Sequence, residues 1–271
     1  MVSDFNFNLP AGIAFAMEAD RFYAGLALQA RPGFEREADP GLGGKLLYAG
    51  ELNAQTHALM AAANIAGTAT LAVSTDLDAQ KPAILDGMAD FVVNSLDEAL
   101  RILKNQIRKR ETVAVCLAAG PGIREVDIAR ELLERGVCPD LVGPGAAGEF
   151  PALFFPGTPR IEAVGPGDDE VLLTWSVATA SALWLPKMDS IAGDCLPPEE
   201  RAARRWLRRA PRYLGRKARG IRLLRCHQSA AQRLLTRFAD SVECGQIGGP
   251  VEFHSLWPPD ASIRAQSSLI P

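Results

Sequence analysis

From Lys45 onward, short runs of consecutive apolar residues alternate with longer stretches whose apolar positions recur at helical spacing. The short runs are "KLLYAG", "TATLAVST", "ADFVVN", "ETVAVCLA" and "PDLVG". Between them lie "THALMAAANIAG", closed by Gly67, "DAQKPAILDG", closed by Gly87, "SLDEALRILKNQIRKR", and "REVDIARELLERG", closed by Gly136. Short unbroken apolar runs predict strands buried on both faces, and the periodic stretches predict helices. A glycine just past a helix suits the left-handed residue that ends it. Ser95, with Glu98 three positions later, reads as a capping box at a helix start. Strands and helices in alternation, with short joints, predict a parallel sheet covered on both sides through right-handed crossovers.

The fold class expected is therefore α/β, a doubly wound (Rossmann-like) parallel sheet over residues 45–148. Residues 1–44 form a lead-in: "AGIAFAMEADRFYAGLALQA" has one apolar helical face, and "PGFEREADPGLGG" is loop by composition. Past the sheet, "GPGAAGEFPALFFPGTPRIEAVGPGDD" is rich in glycine and proline and reads as connection. "EVLLTWSVATASALWL" reads as a buried helix with a strand-like start. "PPEERAARRWLRRA" and "RGIRLLRCHQSAAQRLLTRFADSV" read as amphipathic helices, and the tail from Cys244 shows little pattern. Residues 149–271 are thus expected to form a mainly helical C-terminal extension, completed by the N-terminal helix.

Composition narrows the class of function. The chain has 271 residues, 48% of them apolar, enough for a sizeable core. A formal charge of -3 gives no electrostatic case for nucleic acid or an acidic membrane surface. "VLLTWSVATASALWL" is uncharged, but it falls short of the roughly 20 residues a membrane span needs and stops at Pro186. Five irregularly spaced cysteines, with no signal peptide before them, predict reduced thiols and a cytoplasmic protein.

A parallel open sheet places its ligand crevice at the C-terminal ends of its strands. The residues expected there are Gly50, Asn53 and Gln55 after the first strand, Ser74, Thr75 and Asp76 after the second, and Asn94 and Ser95 after the third. Gly120 and Gly122 follow the fourth and Gly143 and Gly145 the fifth. This rim is polar, glycine-rich and nearly uncharged, suited to a ribose, a small polar metabolite or a phosphate at a helix N-terminus. The plainer reading makes the same residues ordinary caps and turns.

Glu51 and His57 could pair as acid and base, although a solvated carboxylate and a helix-surface histidine are the favoured reading. Cys226 and His227 are adjacent and cannot form a ready nucleophile–base pair. With Cys195, Cys244 and His254 they lack zinc spacing, so no metal site is expected. Between Arg201 and Arg225 arginines are dense. Ala203, Trp206, Leu207 and Ala210 form an apolar stripe flanked by Arg204, Arg205, Arg208 and Arg209. A solvated basic face or a subunit contact is the expected role, which leaves a homo-oligomer, or a non-catalytic interaction or scaffold protein, as the alternative function.

The segments "GKLLYAG", "NIAGTATLAVSTD", "DGMADFVVNSLDEALRILK", "ETVAVCLA" and "LLERGVCPDLV", in that order, resemble the NAD-binding domain of urocanase (urocanate hydratase) over about residues 40–145. The resemblance implies a dinucleotide-binding fold with NAD as its cofactor. The departures from that family lie at the phosphate-facing loop. Here it reads "GELNAQ" and keeps only Gly50, and Glu51 adds a charge that repels phosphate. The family's acidic residue after the second strand is replaced by Ser74, with Asp76 two positions later. The family's catalytic core matches neither flank, so no catalytic residue is carried over. The expectation is a urocanase-like protein that binds a small polar metabolite or nucleotide, with NAD binding weakened or lost and no urocanate hydration. Whether it is an enzyme is left open.

Overall fold

The computed structural model describes residues 11–30, 41–120, 122–148, 151–177, 180–214, 217–218, 220–248 and 251–257. Most of the loop expected before Gly44, and the tail beyond 257, lie outside these residues. Helix α1 (Ala11–Ala27) precedes the first sheet, which holds β1 (Leu46–Glu51), β2 (Ala69–Ser74), β3 (Phe91–Val93), β4 (Val113–Ala118) and β5 (Leu141–Val142). Its strands pair in parallel in the order β3-β4-β2-β1-β5. The connecting helices are α2 (Ala54–Ala66), α3 (Leu77–Leu85), α4 (Leu96–Lys109) and α5 (Glu125–Glu134).

Alternation within each strand divides the sheet's side chains between two cores. Leu47, Ala49, Ala72, Ala114 and Cys116 pack on the side of α2 and α3. Leu46, Tyr48, Leu71, Val73, Val115 and Leu117 pack on the side of α4 and α5. The chain crosses outward through α2 and α3 and returns through α4 and α5. Right-handed crossovers then put the two helix pairs on opposite faces.

After the short α6 (Pro151–Phe154) come β6 (Glu170–Val177), α7 (Ser181–Cys195), α8 (Arg201–Tyr213), β7 (Ile221–His227), α9 (Gln228–Glu243) and β8 (Val251–Trp257). Helices α7, α8 and α9 fall within the expected helical segments, but "IRLLRCH", expected as the start of a helix, is strand β7, and a three-stranded antiparallel sheet forms in the order β7-β6-β8. The strand-like start expected of "EVLLTWSVATASALWL" extends to a full strand, Glu170–Val177: Val171 to Trp175 are buried on both faces, so no alternation marks where it ends. Trp175, Phe238 and Phe253 stack through its core at centroid distances of 5.6 and 5.0 Å.

Every α2 residue from Thr56 to Ala66 is buried, because α1 and α8 cover the helix opposite the sheet. The core on this side runs without a break from β1 through α1 and α8 to Trp175 and Phe238. Arg205, expected on a solvated basic face, instead points inward and is 5% exposed. Its Nε donates to Ile65 O at 2.7 Å. A Cβ on Gly41 or Gly67 would come within 2.3 or 2.4 Å of its guanidinium. The last carbonyls of α2 lack helical donors and carry the negative end of its dipole, so a cation seats there. Arg204 also works internally, donating to the carbonyls of Gly193 and Leu196. Among the described residues no helix is long and apolar enough to cross a membrane.

Candidate functional site

The C-terminal ends of β1 and β2 lie side by side, and their loops interlock. Glu51 Oε1 accepts from both Thr75 N and Thr75 Oγ1, each at 3.0 Å. Thr56 Oγ1 donates back to Glu51 O at 2.7 Å. Asn53 caps α2, its Oδ1 accepting from Thr56 N at 2.9 Å, and no acidic residue stands in the helix's first turn. Asn53 and Gln55 are exposed, as are Thr75 and Asp76 across the Glu51–Thr75 link. Ser74 is buried; its Oγ donates to Asp76 O at 2.8 Å and accepts from Asp76 N at 3.3 Å, so it shapes the turn that presents Asp76.

Two glycines of the expected rim, Gly50 and Gly143, make a contact within the chain. Gly50 lies where the β1–β2 register shifts, with φ of 85°. A Cβ there would sit 2.8 Å from Ala146 Cα, and one on Gly143 would sit 2.6 Å from Ala49 O. Both positions are bare because the 143–148 turn passes directly against β1. Glu125 holds that turn: its Oε1 accepts from Ala147 N at 2.9 Å, and Tyr48 Oη donates to Glu125 O at 3.3 Å. Burial pushes the Glu125 carboxyl above its ordinary range, against the pull of Tyr48 and the Ala147 amide. Sequence reading passed over Glu125. Its position at the first residue of a helix was the available signal, since a carboxylate is stabilised there.

Asn94 and Ser95 follow β3 at the sheet edge, with β4 and β2 between them and β1. At a strand spacing of about 4.8 Å they stand roughly 14 Å from the Asn53 loop. Ser95 caps α4 by accepting from Glu98 N at 3.3 Å. The topology thus gathers Gly50, Asn53, Gln55, Ser74 and Asp76, backs them with Gly143, and sets Asn94 and Ser95 apart.

His57 is not on a helix surface; it is 8% exposed. Burial lowers its pKa, helped by Lys217 and opposed by Asp86, and Glu51 is not among its neighbours in charge. Glu51 is committed to Thr75, so the two do not act as an acid–base pair. Cys226 and His227 end β7, not a helix, and adjacent strand residues point to opposite faces. Cys226 is buried, which pushes its thiol up to about 12.

A family model described as the Urocanase Rossmann-like domain matches residues 33–150. The match takes in the whole parallel sheet and every crevice residue named above, and it stops before β6.

Proposed function

We propose that the crevice at the C-terminal ends of β1 and β2 binds a small polar metabolite or nucleotide, with NAD binding weakened and urocanate hydration absent. The observation that carries this reading is the exposed polar rim, in which Asn53 and Gln55 at the start of α2 stand beside Thr75 and Asp76. A helix N-terminus offers amide donors and a positive dipole end to such a ligand. NAD fits this rim poorly. A pyrophosphate needs bare backbone, yet positions 51–55 carry side chains and Gly50 is taken up by Ala146. Glu51 brings negative charge to the same loop. The family match covers the Rossmann-like domain alone, and a shared fold does not bring hydratase chemistry with it. Five cysteines outside any disulfide support a reducing, cytoplasmic setting. The interaction-protein alternative loses Arg204 and Arg205, which are bonded within the chain.

Thermal-shift screening followed by calorimetry against NAD, AMP, adenosine, ribose 5-phosphate and small dicarboxylates tests the proposal. At least one small ligand should raise the melting midpoint, NAD should do so less, and Gln55→Trp should remove the response. Silence from the whole panel, or a response untouched by Gln55→Trp and Thr75→Trp together, rejects the crevice as the site. Loss of urocanate absorbance on incubation with the protein rejects the non-hydratase reading.

A further inference from the structure

A concavity that shares no residue with the crevice opens between the end of α3, the start of α7, the last turns of α8 and the start of β7. Its volume is 640 Å³, within the roughly 300–1,000 Å³ typical of small-molecule sites. Its floor is apolar core: Leu185, Trp206, Leu207, Leu214 and Leu223 line it, and each is at most 5% exposed. The indole N–H on this floor is taken, since Trp206 Nε1 donates to Leu223 O at 2.6 Å.

The edge of the cavity carries cations with bonding capacity to spare. Arg222, at the start of β7, lines it with 15% of its side chain exposed. Its Nε donates to both carboxylate oxygens of Asp189, at 3.0 and 2.9 Å. Nη1 reaches only Ile221 O, at a long 3.4 Å. Nη2 has no hydrogen bond among the described residues, yet it keeps contact with solvent and is not sealed in the core. Arg212, in the last turn of α8, is exposed; its guanidinium lies over the Tyr213 ring at 5.3 Å, and among the described residues no carboxylate pairs with it. Helix α7 begins at Ser181 on the same wall with no acidic residue in its first turn, so its positive end adds to the two guanidinium groups. The carboxylates nearby are already matched, Asp86 by Lys217 at 3.2 Å and Asp189 by Arg222.

We propose that this cavity binds an organic monoanion, a carboxylate carried on an apolar body, with the carboxylate accepting from Arg222 Nη2 and from Arg212 and the body against Leu185, Leu207 and Leu223. A guanidinium is a planar fork with five donors and can serve two carboxylates at once. Asp189 fixes Arg222 through Nε and leaves the Nη side for a second anion. The apolar floor takes up the body and removes its surface from water. A cation would meet two guanidinium groups instead, and a neutral body would leave them without an acceptor.

Calorimetry on the full chain with 3-phenylpropanoate, 3-phenylpropanol and 3-phenylpropylamine tests the assignment. The carboxylate should bind about tenfold more tightly than the alcohol, and the amine should not bind. Arg222→Lys, which keeps a charge beside Asp189 but removes the fork, should weaken the carboxylate about tenfold and leave the alcohol unchanged. Arg212→Gln, a change at an exposed position, should weaken the carboxylate about threefold. Ala182→Trp, at the exposed mouth of the cavity, should abolish binding of both, and Gln55→Trp in the crevice should change neither. Should Arg222→Lys fail to fold, Arg212→Gln and Ala182→Trp still decide. Absence of carboxylate binding, equal affinity for carboxylate and alcohol, an affinity indifferent to the arginine substitutions, survival of binding in Ala182→Trp, or its loss in Gln55→Trp overturns the proposal.

Discussion

Asp20 is a carboxylate that burial and pairing pull in opposite directions. It is 2% exposed, and Arg225 meets it at 2.9 and 2.6 Å. Burial outweighs the guanidinium and raises its pKa from the ordinary aspartate range to about 6. An acid whose folded value is raised favours the protonated fold. Its contribution to stability is complete below about pH 4 and is lost as pH rises through about 6. Relative to Asp20→Asn, the wild type should gain on the order of 2 kcal/mol between pH 7.5 and 4.5. Denaturant unfolding of both proteins at the two pH values measures it, and parallel pH profiles would show that the pairing dominates after all. No sequence pattern announced this pair: 205 positions separate its members. His57 and Arg205 were misplaced for a related reason. Their polarity predicts exposure, and only the packing of α1 and α8 over α2 hides them.

At the scale of elements, the parallel sheet was legible because each of its strands is short, apolar and set off by a glycine-closed or capped helix. Local rules agree there with the global fold, as at Gly67 with φ of 93° and at Ser95. The antiparallel sheet was not legible. β6 and the helix after it form one apolar stretch, and periodicity alone cannot divide a doubly buried strand from a buried helix. β8 carried a fainter signal, the alternation of Val251, Glu252, Phe253 and His254. In the crevice, residue types were legible, but the purpose of the glycines was not. Gly50 looked like the remnant of a phosphate loop and proves to be the seat of the 143–148 turn. Gly50→Ala combines a left-handed φ with a clash against backbone, so it should cost about 2 kcal/mol or more. Thermal melts check this. A loss no larger than a few tenths of a kcal/mol would mean that the turn can step aside.

Across the whole molecule, one apolar core joins the parallel sheet, α1 and the C-terminal elements, and Arg205 fastens α8 to α2 within it. Unfolding should therefore be a single event. Far-ultraviolet circular dichroism, which reads both sheets, and fluorescence from Trp175 and Trp206 should fall together. Arg205→Ala should lower stability by about 3 kcal/mol while the two signals stay coincident. Two separated transitions would contradict a shared core. The same fastening bears on how the chain is made. Ile65 and Arg205 are 140 positions apart. A ribosome adding roughly 5–20 residues per second leaves the flank of α2 uncovered for about 7–28 s. During that interval α1 and Leu42 shelter part of it, and a nascent chain halted before α8 would present a greasy helix to chaperones and to its neighbours on the polysome.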